Sequence, residues 1–285
     1  MEISERAPAK VNLALDALYR HNNGAEEWRM ILISVDLADT VRIKTTSTGR
    51  ISVRTDNGFL PVDQRNLAYQ AAALLKRTFK IKQGAQIEIT KKIPVSAGLG
   101  GGSADAAAVL RGLDRLWALN QTKAELATLA LKLDSDVPYC LYSTPAVVLG
   151  QGDSVKPLAL LPDFWVIIVK PQVSVSTTKL LARAQFDQLT THPDLTQVIA
   201  GLQNKDWHTM AQGMANSLEE VTFRQYPQLA VIKQRMLRSG ALVAQMSGTG
   251  PTMFALAARE SQAKRIYNAM RGFCDEVYLT RPVSL

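Results

Sequence analysis

The residues best suited to chemistry are Gly98-Leu-Gly-Gly-Gly-Ser103, four glycines in five positions followed by a hydroxyl. Glycines let a backbone adopt positive φ and approach a ligand closely. The apolar stripe Val109, Leu110, Leu113, Leu116 and Trp117 follows, so the loop runs into a helix. The first turn of a helix carries unpaired N–H groups and the positive end of its dipole. Together these make an anion site, most often for phosphate. A tight turn packing helix on strand would need fewer glycines.

The loop departs from the common phosphate motifs. No lysine follows the glycines as a Walker loop requires. Ser103 stands where a dinucleotide fingerprint has its third glycine, and Asp114 comes too early for the ribose acid. Protein-kinase signatures are absent. Two more segments fit the theme. Met246-Ser-Gly-Thr-Gly-Pro-Thr252 is a second glycine-rich turn, which alone reads as a hairpin connection. Ala7-Pro-Ala-Lys-Val-Asn12 sets Lys10 and Asn12 near an alternating strand, Val11–Leu18, and alone reads as a solvated strand edge. Asp105, Asp134 and Asp136 are the acids downstream of the loop. Asp105, in the expected first helical turn, would favour the dipole.

The elements that must position these residues are legible in outline. Val41–Thr45, Ile51–Thr55 and Gln86–Thr90 alternate as half-buried strands. Asn66 opens a helix with Leu67, Ala71, Leu74 and Leu75 on one stripe. Thr122 and Glu125 form a capping-box pattern for a helix ending near Leu133, and Asp134–Pro138 breaks it. Gly150–Gly152 and Lys156-Pro157 read as loop. Beyond them come a strand at Trp165–Val169 and helices over 195–202, 207–218 and 229–238. Strands at 242–246 and 252–256, a helix through Ile266 and a strand at 276–280 follow. That is a β-α-β-β-α-β, ferredoxin-like order. The expected boundary lies near residue 157, giving domains 1–157 and 158–285.

Composition narrows the class. Hydrophobic residues are 47% and charged residues 20%, a globular balance. No apolar run has membrane-helix length, and no signal-peptide pattern opens the chain. Cys140 and Cys274 make no disulfide framework, so a cytoplasmic location is expected. His21, His192 and His208 are scattered, so no zinc-type site is expected. The net charge of +8 comes from dispersed residues. It suits anionic small molecules, and no RNP-type aromatic strand supports nucleic-acid binding.

The segments Ala7–Leu13, Val35–Asp39, Asn66–Tyr69, Gly98–Ala107, Asp136–Pro138, Val175–Thr177, Asn216–Glu219 and Met246–Thr252 resemble, in this order, the GHMP kinases. Within that superfamily they are most similar to the 4-diphosphocytidyl-2-C-methyl-D-erythritol kinase family of non-mevalonate isoprenoid biosynthesis. The resemblance spans nearly the whole chain. It implies an α+β fold of two domains, the first like domain 2 of ribosomal protein S5 and the second ferredoxin-like. It implies transfer of the ATP γ-phosphate to a substrate hydroxyl with Mg²⁺, by a monomer or weak homodimer. By motif position, Asp136 would be the catalytic aspartate and Lys10 its partner. Gly98, Leu99, Gly100, Gly101 and Gly102 would cradle the triphosphate, and Ser103 would bind phosphate or Mg²⁺. Asn66, the Lys91–Lys92 pair and Pro94 would lie on the adenine side. Asn12, Thr177, Gly248, Thr249 and Gly250 would face the substrate or close the cleft.

One segment departs from that family. Where it has Asp-Gly-Tyr-His-Glu, with Tyr and His recognising the cytosine base, this chain has Asn23-Gly-Ala-Glu-Glu27. Ala25 and Glu26 offer neither ring, with Trp28 and Tyr19 as the nearby aromatics. Ala104 also replaces a usual second serine. Two alternatives follow: a kinase for another small alcohol, with Glu26 contacting an amine or hydroxyl, or a nucleotide-binding homologue without catalysis. Intact Lys10, Ser103 and Asp136 favour catalysis.

Overall fold

The structure is a computed structural model and describes residues 1–160 and 162–285. The chain opens with two long strands, β1 (Glu2–Arg20) and β2 (Glu26–Thr46), then β3 (Ile51–Thr55) and α1 (Leu67–Thr78). Next come β4 (Gly84–Thr90), α2 (Gly101–Leu116), α3 (Lys123–Ala130) and α4 (Val137–Tyr142). A hairpin of β5 (Ala146–Gly150) and β6 (Ser154–Pro157) precedes β7 (Trp165–Lys170) and α5 (Thr177–Arg183). Then follow α6 (Leu195–Asn204), α7 (Trp207–Gly213), α8 (Glu219–Gln225) and α9 (Pro227–Arg238). The chain ends with β8 (Val243–Met246), β9 (Met253–Ala257), α10 (Glu260–Arg271), β10 (Glu276–Thr280) and β11 (Pro282–Val283). Among the described residues no helix is long and apolar enough to cross a membrane.

Contacts divide the chain into two compact units. The first comprises Met1–Ala9, Leu37–Pro94 and Gly100–Ser143; the second comprises Lys10–Asp36, Val95–Leu99 and Thr144–Leu285. The long strands β1 and β2 therefore give residues to both.

In the first unit, β4 lies between β3 and the C-terminal half of β2, parallel to β3 and antiparallel to β2. The helix α1 packs on β3, β4 and α2, and α2 also packs on α4. The stripe predicted for α1 is buried at Ala71, Leu74 and Leu75, and Asn66 caps it by accepting the Ala68 N–H. The capping box of Thr122 and Glu125 is formed. Gly112 brings α2 close to the sheet, since a Cβ there would fall 2.5 Å from Ile43 Cδ1.

In the second unit, β7, β8, β9 and β10 form an antiparallel sheet in the order β10-β7-β9-β8. Helices α9 and α10 cover it. That spatial order, with the two edge strands supplied by the second and fourth in sequence, is the ferredoxin-like arrangement expected from the periodicity. Every residue of β9 is buried, which explains its continuous apolar run. The N-terminal half of β2 pairs with β5, and β11 pairs with β2 at Val35 and Ser34.

Four local expectations are corrected. Lys156 and Pro157 belong to β6, because pairing with Val147 and Ala146 overrides the turn-like composition. The helix before Asp134 ends at Ala130 rather than near Leu133, and at the end of the expected break Pro138 lies in the first turn of α4, where no N–H is missed. The helix beginning at Trp207 stops at Gly213, and a separate helix starts at Glu219. Asp105 is not in the first turn of α2, and its partner is a lysine rather than the helix dipole.

Candidate functional site

The glycine loop is shaped as the sequence requires. Gly98 (φ +72°) and Gly100 (φ +66°) both lie in the left-handed region. Gly100 is the N-cap of α2 and supplies no side-chain cap, so the first N–H groups of this 16-residue helix are left to an external acceptor. The loop crosses the division between the units after Leu99, and each side is built separately.

In the first unit, Ser103 is buried and its Oγ donates to Asp134 Oδ1 at 2.8 Å. The same oxygen accepts the Asp136 N–H at 3.0 Å. One carboxylate thus ties the phosphate-loop hydroxyl to the residue opening α4. The Asp136 side chain makes no capping bond to that helix. Among the described residues no three His, Cys, Asp or Glu gather to hold a metal. Ser103 and Asp134 nevertheless supply the hard oxygen donors that Mg²⁺ takes alongside phosphate and water.

Asn66 spends its amide locally, accepting from Ala68 N and donating to the Pro61 carbonyl at 2.8 Å. It organises the 61–66 loop. Pro94 is half-buried nearby in sequence, and the Lys92 side chain is exposed while its N–H bonds Asp39. The buried lysine is Lys91. Its ammonium contacts Asp39 and lies 2.8 Å from Asp105 Oδ2, and it stands 3.4 Å from where a Cβ on Gly101 would sit. Burial pulls the Lys91 pKa down, but the Asp105 and Asp39 carboxylates outweigh it and leave the value raised. Burial, partly offset by Lys91, pushes Asp105 up to about 7. Asp105 Oδ1 is buried with no hydrogen-bond partner.

In the second unit, Lys10, Asn12, Gly98, Leu99, Gly248, Thr249, Gly250 and Thr177 come together. The Lys10 N–H bonds Leu99 O at 2.9 Å, fixing β1 beside the loop. Lys10 is buried, and its Nζ donates to Asn12 Oδ1 at 3.1 Å. Asn12 Oδ1 also accepts the Gly248 N–H at 3.0 Å. Ser247 Oγ donates to Gly98 O at 3.0 Å, so the two glycine-rich segments are bonded to each other. The Thr177 and Thr249 hydroxyls are 2.7 Å apart. Asn12 is therefore occupied by the protein itself, which its expected substrate role did not anticipate.

Reading the sequence missed the supports. Asn216 bonds the carbonyls of Met246 and Gly248, and Glu219 accepts the Met246 N–H at 2.7 Å while pairing with Lys233. Burial raises the Glu219 pKa against the pull of Lys233. Asn216 and Glu219 had stood only inside a family pattern, and no spacing rule joins position 216 to 248.

At the far end of β1, Glu26 pairs with Arg20 at 3.6 Å. Arg20 also lies over the Phe186 ring, which meets Trp28 edge to face. Asp16, fully buried, accepts from Arg29 Nη2 at 2.8 Å and from His192 Nδ1 at 2.7 Å.

Known proteins share this construction. Residues 66–144 match the GHMP kinases N terminal domain and residues 198–276 the GHMP kinases C terminal domain. A 4-diphosphocytidyl-2-C-methyl-D-erythritol kinase of Latilactobacillus sakei subsp. sakei (strain 23K) is 55% identical over 283 residues, covering 99% of both chains. The kinase of the same name in Lactiplantibacillus plantarum is 52% identical, covering 100% of this chain and 99% of its own. A crystal structure of 4-(cytidine 5'-diphospho)-2C-methyl-D-erythritol kinase superposes with a TM-score of 0.83 at 30% identity, covering 98% of this chain and 99% of that one.

Proposed function

Since this chain belongs to the GHMP kinases, phosphotransferases acting on an alcohol group, we propose that it phosphorylates the 2-hydroxyl of 4-diphosphocytidyl-2-C-methyl-D-erythritol with ATP. The observation that carries this reading is 55% identity over 99% of both chains to a kinase of that name; the glycine-capped α2 and the Lys10–Asn12–Gly248 cluster of this chain are consistent with it. On this reading 1–157 is the ATP-binding domain and 158–285 the C-terminal domain of a cytoplasmic enzyme.

The α2 N-terminus and the backbone of Gly98–Gly102 bind the triphosphate. Asn66, Lys92 and Pro94 flank the adenine. Asp136 orients the acceptor hydroxyl in line with the γ-phosphorus. The hydroxyl oxygen forms the new bond to phosphorus, the bond to the β,γ-bridging oxygen breaks, and ADP leaves. The hydroxyl proton passes to the Asp136 carboxylate. A carboxylate suffices because the transition state is loose and the proton leaves late. Lys10 stabilises charge on the transferring group. Thr177, Thr249 and the Gly248–Gly250 turn face the acceptor. Ser103 and Asp134 would hold Mg²⁺, which would supply charge neutralisation on the phosphates.

A second reading, a kinase for another small alcohol, is favoured by Ala25 and Glu26, which offer no ring to a cytosine base. Purified protein assayed for ADP release with this acceptor and with other alcohols separates the two. Acceptor-dependent release supports the first; ATP use with a different alcohol alone supports the second.

A further inference from the structure

The link between Lys10 and the second glycine turn runs through amides whose orientation leaves no choice. Two donors, Lys10 Nζ and the Gly248 N–H, converge on one acceptor, Asn12 Oδ1. The Asn12 nitrogen faces Met30 Sδ at 3.3 Å, which accepts only weakly. Flipping the amide would set an N–H₂ against an ammonium and an amide N–H. Gly248 in turn owes its position to Asn216. The Asn216 Nδ2 donates to Met246 O and Gly248 O, both at 2.8 Å, and its Oδ1 accepts the Leu218 N–H at 3.0 Å. Asn216 is 1% exposed, so no water substitutes for these bonds at low cost.

The anchor beneath Asn216 is β1 itself. Leu15 N–H bonds Ala215 O, Ser217 N–H bonds Leu15 O, and the Ala17 N–H bonds Ser217 Oγ. Gln245 reaches back to the carbonyls of Asn12 and Leu13. The strand that carries Lys10 thus fixes the segment that fixes the turn that fixes Asn12. The loop closes on itself inside one unit of the structure.

We infer that Asn216 is a positioning residue for Lys10, acting through Gly248 and the Asn12 amide. The inference rests on the proposed role of Lys10 and adds a residue that touches no reactant. A rotated Gly248 would release the second bond to Asn12 Oδ1 and leave that amide less firmly set against Lys10 Nζ.

The test pairs turnover with a readout that needs none. Asn216→Ser keeps a small polar side chain and loses the double donation; Asn12→Ser is the second variant, in case the first folds poorly. We expect Asn216→Ser to lower kcat about 10–100-fold, the size expected for a misplaced catalytic group. In a Lys10→Met background the same substitution adds less than about two-fold, because residues acting as one unit are not additive. Reductive methylation followed by peptide mass spectrometry reads Lys10 whether or not an acceptor is turned over. Lys10 should label faster in Asn216→Ser, and Lys91 should not. Unchanged Lys10 labelling, or a full additional loss in the Lys10→Met background, overturns the inference. Wild-type protein inactive with every acceptor, yet showing the labelling change, overturns the proposed function alone.

Discussion

Gly98 and Ser247 are built against each other. A Cβ at position 98 would fall 2.5 Å from the Ser247 carbonyl oxygen, and Ser247 Oγ donates to the Gly98 carbonyl. Gly98 also sits at φ +72°, where side chains are strained. Gly98→Ala is therefore expected to cost about 1–3 kcal/mol in stability and to weaken ATP binding. Thermal unfolding and nucleotide titration check both. An alanine variant with wild-type melting temperature and affinity would show that the packed loop matters little.

The proposed chemistry makes Asp136 and Lys10 sensitive in kcat. Asp136→Asn should lower kcat about 10²–10⁴-fold while the KM for ATP moves only a few-fold. Steady-state kinetics with saturating acceptor measure the split. A rise confined to KM would instead make Asp136 a binding residue.

Much of this architecture was legible because its signals are local. The Asn66 cap and the Thr122–Glu125 box each lie within a few residues of chain, and the β-α-β-β-α-β order follows from the periodicity inside each element in turn. The β5–β6 hairpin was not, because Gly150, Gly152 and Pro157 punctuate the sequence; only pairing makes Gly150 and Pro157 strand, with Gly152 in the turn between them. Lys91, expected with Lys92 on the adenine side, is instead buried on two carboxylates. Its partners lie 52 and 14 residues away, so its burial is a tertiary fact. Asn216 is hidden for the same reason.

The Lys91 cluster sets a pH dependence. Asp105 has its pKa raised from 3.8 to about 7, mainly by burial. For a raised carboxyl, the stabilisation is fully present below the unfolded value and is lost as pH rises through the folded one. Stability should therefore decline from about pH 4 to about pH 7 and level off above it, and Asp105→Asn should flatten that decline. Melting temperatures from acid to mildly alkaline pH test it; equal slopes in both proteins would contradict it.

His192 gives a second pH effect of the same sign at another place. Its hydrogen bond to Asp16 leads the causes that raise its pKa above 6.5, and Nε2 meets Leu189 O at 3.0 Å. The charged ring holds residues 189–192 to β1 below the ordinary histidine value, and the hold is lost as pH rises through the raised one. Hydrogen exchange in this segment, corrected for intrinsic rates, should increase across that range and be pH-independent in His192→Gln. Exchange that is flat in wild type would sever the link.

The central claim is transfer of a phosphoryl group to one acceptor. The direct measurement is recovery of label from γ-labelled ATP in 4-diphosphocytidyl-2-C-methyl-D-erythritol, with Mg²⁺, by wild type and Asp136→Asn. The account predicts stoichiometric, acceptor-dependent labelling by wild type and near-complete loss in the variant. Bound ATP with no label in the acceptor, while another alcohol becomes labelled, would contradict it.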